Sequence, residues 1–306
     1  MRREFLAARA IEVSIRHKLD LRYYCESNAS GTERDDDPKS DLMLRRVTAI
    51  EFARDVTQGR TKPALLVCEA DDKSTVEVVA KFSRGCDQGV TSLAFEVLGA
   101  CLAADLGLPV SEPFLVEISP EWSNTLTYAA RKTQVQASSP LAFGSKLVTS
   151  YAAWNAGSHL TAAMVPMGAA IFAFDAIVQN VDRRAGNPNC LVQGEKFRIF
   201  DHELCFDASI MIGWKPPWVL GGLNSLETPG AHIFREELRK KVTPDILSDI
   251  RAAWLKITDE RLAQYVAAIP VEWIAAADKI ATAVKLIKDA RDHIVDCLKE
   301  IERVLQ

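Results

Sequence analysis

Asp182, Asn187 and Asp201 stand in the order carboxylate, four intervening residues, amide, short hairpin, carboxylate. Carboxylate and amide oxygens suit a hard divalent cation such as Mg2+, which takes few protein ligands and fills its shell with phosphate and water oxygens. Phosphoryl transfer from ATP asks for that kind of help: a hydroxyl oriented, a metal held against the phosphates and developing charge neutralised. A D-x-x-x-x-N loop supplies a carboxylate that can accept the hydroxyl proton and, five residues on, an amide oxygen for the metal. An Asp closing the next hairpin supplies the second metal ligand. Asp182 is thus the candidate catalytic carboxylate, and Asn187 and Asp201 are the candidate metal ligands. Either of Asp182 and Asn187 alone reads as a turn former; the order of apolar helix, polar loop, hairpin and Asp carries the combination.

The same chemistry needs a cation on the nucleotide phosphates, fixed by a carboxylate on a neighbouring helix. Lys81 ends a β-branched run, and Glu96 lies on the helical pattern that follows it. At a side-chain period of two, Glu77, Val79 and Lys81 share one strand face, so Val79 would roof an adenine ring beside the Lys81 ammonium. By themselves, a strand-end Lys and a helical Glu are ordinary surface charges whose pairing contributes little. Gly59-Arg60-Thr61-Lys62-Pro63 is the candidate cover for the phosphates, with Thr61 as its nucleotide contact, and reads equally as a surface turn. Neither G-x-G-x-x-G nor G-x-x-x-x-G-K-[ST] occurs.

The elements that must position these residues follow from periodicity and punctuation. A helix is expected over 3–21 and a solvated polar linker over 27–41, with a folded domain starting near Met43. Residues 47–118 read as β-rich with one helix, started by Thr91 or Ser92 and ended by Gly107 and Pro109. Strands near 113–118 and 126–130 would complete a small sheet. A buried helix over 164–179 delivers the chain into NVDRRAGNPN, and a hairpin turning at Gln193-Gly194-Glu195 ends on Asp201. The tail is helical, with starts at Thr243-Pro244 and Asp259 and an apolar stripe through Ile287, Ile294, Leu298, Ile301 and Val304. The fold class is therefore α+β, in three parts: an extension over 1–42, a nucleotide-binding sheet with one helix over 43–130, and a helical part over 131–306.

Composition narrows the function. The 306 residues are 48% hydrophobic and 25% charged, as in globular proteins. A net charge of -4 and no basic stripe interleaved with aromatics argue against direct nucleic-acid binding. Seven scattered cysteines without C-x-x-C suggest reduced thiols rather than disulfides or zinc. Residues 162–178, the most apolar segment, include Pro166 and Asp175 and are too short for a membrane span. A cytoplasmic, membrane-free protein is expected.

The stretches VVAKF, LAFEVLGACLAADLGLPV, FDAIVQNVDRRAGNPNCLV and RIFDHELCF together resemble the HipA-like serine/threonine kinases, in the compact branch lacking an extra N-terminal domain. The resemblance spans both halves from about Met43, while the tail matches only in its helical character. It implies a two-lobed kinase fold, ATP and Mg2+ as cofactors, a protein Ser or Thr as acceptor, a place as the toxin of a toxin–antitoxin-like module, and an antitoxin-like or neighbouring-gene partner. Position by position it makes Asp182 catalytic, Asn187 and Asp201 metal ligands, Lys81 the phosphate contact and Glu96 its partner. Asn180 and Arg183 would shape the loop, and His202 would be a structural hydrogen-bonder. Arg184 stands where many members have His, so no role of that His transfers. A small-molecule kinase and a pseudokinase that serves as an interaction module are the alternative readings.

Overall fold

Alternation of apolar and polar side chains builds a five-stranded barrel from β1 (Arg45–Asp55), β2 (Ala64–Glu69), β3 (Thr75–Lys81), β4 (Pro113–Glu117) and β5 (Leu141–Lys146). The computed structural model describes residues 44–56, 59–155, 157–207 and 213–306. The expected N-terminal helix, polar linker and Met43 lie outside them. Strand order is β1-β2-β3-β5-β4, and β1 closes the barrel by pairing in parallel with β4. Val47, Ala49, Leu66, Val78, Ala80, Phe114, Val116 and Ala142 fill its interior. Gly144 is required there, because a Cβ would come within 2.7 Å of Val116. The register of β1 against β2 shifts after Ala49 and again after Phe52, irregularities that bend a strand and help a small sheet curl.

Helix α1 (Val90–Asp105) connects β3 to β4 and is buried along most of its length. Thr91 and Ser92 do not cap it: Gly89, at φ 58°, occupies the cap position, and both hydroxyl residues are buried inside the first turn. Glycine reaches that positive-φ conformation without steric cost and lets the helix begin two residues before the start that a Thr91 cap would give. At the other end Gly107 takes φ 74°, with Pro109 beyond it.

The strand expected over 126–130 is absent. Two short helices, α2 (Pro120–Thr125) and α3 (Ala129–Gln136), fill this region, and the fifth strand follows at Leu141–Lys146, past the division expected at residue 130. Ser119 caps α2 by accepting from the Trp122 N–H, with Pro120 in the first turn. Arg131 then ties α3 to the β1–β2 connection, so tertiary contacts override the β-forming composition of Leu126-Thr127-Tyr128.

Helix α4 (Val165–Val178) forms the buried centre of the second half, with Pro166 tolerated in its first turn. Beside it, β6 (Ala152–Ala153), β7 (Cys190–Gln193) and β8 (Lys196–Ile199) form a small antiparallel sheet. Gly194 turns the β7–β8 hairpin at φ 58°. The remaining α-helices among the described residues are α5 (Arg235–Leu238), α6 (Pro244–Trp254), α7 (Asp259–Ala268), α8 (Ala277–Asp292) and α9 (Ile294–Leu305). Thr243 and Thr258 cap α6 and α7. The predicted C-terminal stripe is buried from Ile287 to Val304.

Leu115, Leu141 and Phe143 of the barrel strands belong to the same apolar cluster as α1, α4 and the tail helices. No helix among the described residues is long and apolar enough to cross a membrane. The six described cysteines are free thiols, all but Cys86 buried.

Trp273, wholly buried in a 3-10 turn before α8, joins the tail to the barrel by donating from Nε1 towards Ser139 Oγ (3.2 Å) and the Leu141 carbonyl (3.3 Å). Urea unfolding of Trp273→Ala should show a loss of about 3–5 kcal/mol, as for other buried aromatics. Trp273→Phe, which keeps the bulk and loses the donor, should lose markedly less.

Candidate active site

Lys81 ends β3 with its side chain almost fully buried, and three carboxylates surround its ammonium. Nζ donates to Glu96 Oε1 at 2.6 Å, Asp201 Oδ1 at 2.7 Å and Glu203 Oε2 at 3.1 Å. The strand period places Val78, Ala80 and Phe82 in the barrel and turns Val79 and Lys81 to a cavity outside it. Burial acts to lower the Lys81 pKa, but the three carboxylates outweigh it and raise it well above its ordinary value. Burial alone would raise Glu96; Lys81, with His202, lowers its pKa to about 2. Glu203 goes the other way, to about 7, because burial and the neighbouring acids prevail over Lys81.

Chain geometry accounts for the arrival of these groups. The carbonyl of Pro109 and the Ser111 N–H bracket Ile199, tying β8 to the segment after α1. Asp201 then adopts φ 64°, a left-handed conformation unusual for a non-glycine residue. The next N–H, of His202, donates to Glu96 Oε2 at 2.8 Å. The His202 side chain lies against Gly99 of α1, where an added Cβ would come within 2.5 Å of its Cβ and 2.9 Å of its ring, and the ring meets Phe174 edge-on. His202 therefore packs and hydrogen-bonds, away from the cavity lining.

The loop after α4 begins at Gln179, also left-handed (φ 62°). Asp182 is held by two amides: its Oδ2 accepts from Asn187 Nδ2 (2.7 Å) and Asn189 Nδ2 (3.2 Å). Burial and then Asp201 raise its pKa above the ordinary carboxylate value. Arg184 Nε lies 3.9 Å from Asp182 Oδ1.

Beneath the loop, Arg183 is fully buried, with Nε donating to Asp175 Oδ2 at 2.7 Å and NH1 to the Asn189 and Phe200 carbonyls. Asn180 Nδ2 donates to Asp175 Oδ1 (2.7 Å), and His232 Nε2 lies 2.9 Å from Asp175 Oδ2. The Phe234 N–H donates to His232 Nδ1, which leaves Nε2 as the protonated ring nitrogen facing Asp175. Burial favours the neutral imidazole, lowering its pKa despite Asp175.

A cavity of about 800 Å³ collects the residues singled out from sequence: Thr61, Val79, Lys81, Glu96, Asp182, Asn187 and Asp201 all line it. Among described residues, Glu96, Asp201 and Glu203 bring ligand oxygens within 4.8 Å of one another. The Lys81 ammonium already occupies that triad. The oxygen donors of Asn187 and Asp201 fit Mg2+ by ligand type. Asn187 spends its Nδ2 on Asp182, which leaves its amide oxygen for another partner.

The family model for HipA-like kinases matches residues 49–302. The chain belongs to the HipA-like kinase family. Among solved structures, the proinflammatory kinase CtkA of Helicobacter pylori matches with a TM-score of 0.42 and 13% identity, over 84% of this chain and 99% of that one. No curated protein sequence matches.

In this HipA-like kinase, sequence reading missed Glu203, Asp175, Asn189 and His232. Glu203 follows Asp201 by two residues and could have been flagged as a further acid at the hairpin exit. Asp175 carried a stronger signal, an acid inside an otherwise apolar helix, where burial demands a partner. His232 lies fifty-seven residues from Asp175 in sequence, and nothing local marks it.

The raised pKa of Glu203 has a stability consequence in protein freed of metal by a chelator. Between 4.5 and about 7 the folded protein keeps a proton that the unfolded chain has released, so stability falls as pH rises through that window. Thermal unfolding in the presence of chelator should show this decline, and Glu203→Gln should flatten it. An equally steep decline in the variant would assign the slope to another group.

Proposed function

We propose that the protein is an ATP- and Mg2+-dependent protein kinase that phosphorylates Ser or Thr hydroxyls, with barrel and helical halves acting as the two lobes around the cleft. The observation carrying this reading is the convergence on one cavity of Lys81, paired with Glu96, and of Asp182, Asn187 and Asp201. Family membership supports ATP and a divalent ion as cofactors. A protein acceptor, an antitoxin-like partner and a cytoplasmic location extend the family resemblance to this chain.

Asp182 orients the acceptor hydroxyl and takes its proton. A raised pKa makes it a better base than an exposed carboxylate, and the amides of Asn187 and Asn189 fix its orientation. Lys81 contributes positive charge to the phosphates, with its ammonium restrained by Glu96. Val79 supplies apolar surface for the base, and Thr61 stands in the loop across the cavity. Asn187 and Asp201 would hold Mg2+, which neutralises phosphate charge when bound.

Transfer of labelled phosphate from ATP to the protein itself or to a generic protein acceptor tests the assignment. Asp182→Ala should slow turnover by about 10²- to 10⁴-fold, the range for loss of a general base. Asp182→Asn should be similarly impaired while retaining the fold. Equal incorporation by wild type and both variants would refute the role of Asp182.

A further inference from the structure

Behind the loop that carries Thr61 lies a second cavity, of about 710 Å³. Val56, Gly59, Arg60 and Thr61 line both cavities, so this short stretch of chain is their common wall. Charged side chains lining the second cavity are Arg60, Lys62, Arg84 and Arg131 against the single carboxylate of Asp55. That excess of positive charge stands out on a chain of net charge -4.

The cavity floor is preorganised. The Arg131 side chain is only 5% exposed, with Nε donating to Asp55 Oδ1 at 2.9 Å and NH1 to the Lys62 carbonyl at 2.8 Å and Gln134 Oε1 at 2.7 Å. Arg60 pairs with Asp87. The Lys62 and Arg84 side chains, by contrast, have no hydrogen-bond or ion-pair partner among the described residues, although both line the cavity. Exposed Tyr128 stands at its edge.

We propose that this second cavity is an anion site for a phosphoryl dianion, bound chiefly by Arg84 and Lys62 over the fixed Arg131, and that its occupancy steadies the shared wall. The ligand class follows from charge and geometry: guanidinium forks match tetrahedral phosphate oxygens, and an ammonium adds a point charge. Coupling follows from contact. A Cβ on Gly85 would come within 2.5 Å of the Thr61 carbonyl and 2.4 Å of Gln134 Nε2, so the Arg84-Gly85 backbone is seated directly on the loop. The coupling rests on the reading of that loop as a phosphate cover; the anion site itself does not.

The test uses the full chain with inorganic phosphate as probe and the first cavity filled by a non-hydrolysable ATP analogue with Mg2+. Calorimetry should detect phosphate binding to this complex. Arg84→Glu should weaken it about tenfold or more, as expected for loss and reversal of a charge-assisted contact. Arg84→Lys should retain part of the affinity, and both variants should keep the wild-type thermal midpoint without anion. Inorganic phosphate should also lower the apparent KM for ATP of wild type and leave that of Arg84→Glu unchanged.

No binding to the filled complex, or equal affinity for wild type and Arg84→Glu, would overturn the site. Loss of binding in Arg84→Glu with an ATP KM indifferent to anion would overturn the coupling alone. Binding is read without turnover, so failure of the kinase assignment remains distinguishable. A phosphoserine peptide that displaces inorganic phosphate, where its unphosphorylated counterpart does not, would place the phosphoryl group on a protein; no displacement by either would restrict the site to free anions.

Discussion

A buried ammonium can persist only where carboxylates repay its lost hydration, and at Lys81 they come from two separate segments of the fold. Glu96 arrives on α1, while Asp201 and Glu203 come from the chain leaving β8. A buried charge stripped of its partner leaves several kcal/mol uncompensated, so the strand, helix and hairpin exit are held in mutual register by this one group. The acids nevertheless outnumber the ammonium. Glu96 is firmly ionised and Glu203 retains its proton to about 7, so part of the surplus negative charge is suppressed at that residue. Three carboxylates around one ammonium leave oxygen donors that suit the arrival of further positive charge, in line with the proposal that Asn187 and Asp201 would hold Mg2+.

A second buried ion pair sets the loop that carries Asp182. Arg183 bonds to Asp175 on α4, to the Asn189 carbonyl within the loop and to the Phe200 carbonyl immediately before Asp201. One planar guanidinium thereby relates the loop of Asp182 to Phe200, which follows β8 and precedes Asp201. Asn180 and His232 complete the hydrogen bonding of Asp175, as a buried carboxylate requires. The segment 230–233 is drawn in with them: the Ala185 N–H donates to the Gly230 carbonyl and the Ile233 N–H to the Arg183 carbonyl. Asp182 can therefore sit at the cavity wall while the fixed parts of its loop lie beneath it.

Much of this arrangement was legible because its signals are local. The period of β3 placed Val79 and Lys81 on one face, and the glycine turn between β7 and β8 led the chain to Asp201. Helix α4 was legible from its continuous apolar composition, though the same continuity invited Asp175 to be read as an interruption rather than an anchor. What sequence reading missed depends on distance. The first turn of α1 is governed by the conformation of Gly89 rather than by a hydroxyl cap, and α3 owes its position to an arginine that reaches back across the chain to Asp55. His232 is the extreme case, since its role exists only when the chain past residue 229 returns to α4.

The missing glycine pattern over the phosphates has a physical counterpart in how the substitute loop is held. A G-x-G-x-x-G loop approaches phosphates closely because it lacks side chains, and gains flexibility in the same step. Here Gly59 takes φ 105° and Lys62 takes φ 50°, while the Val56 N–H donates to the Pro63 carbonyl at 3.0 Å and closes the loop at its base. Arg131 grips the Lys62 carbonyl from behind, and Gly85 leaves room for the Thr61 carbonyl to press against the β3 exit. The loop is thus positioned by its supports more than by its own composition. The second cavity borders the same supports, and there Arg84 and Lys62 are exposed without an ion-pair partner among the described residues, so the contacts that hold the loop also frame a cationic surface.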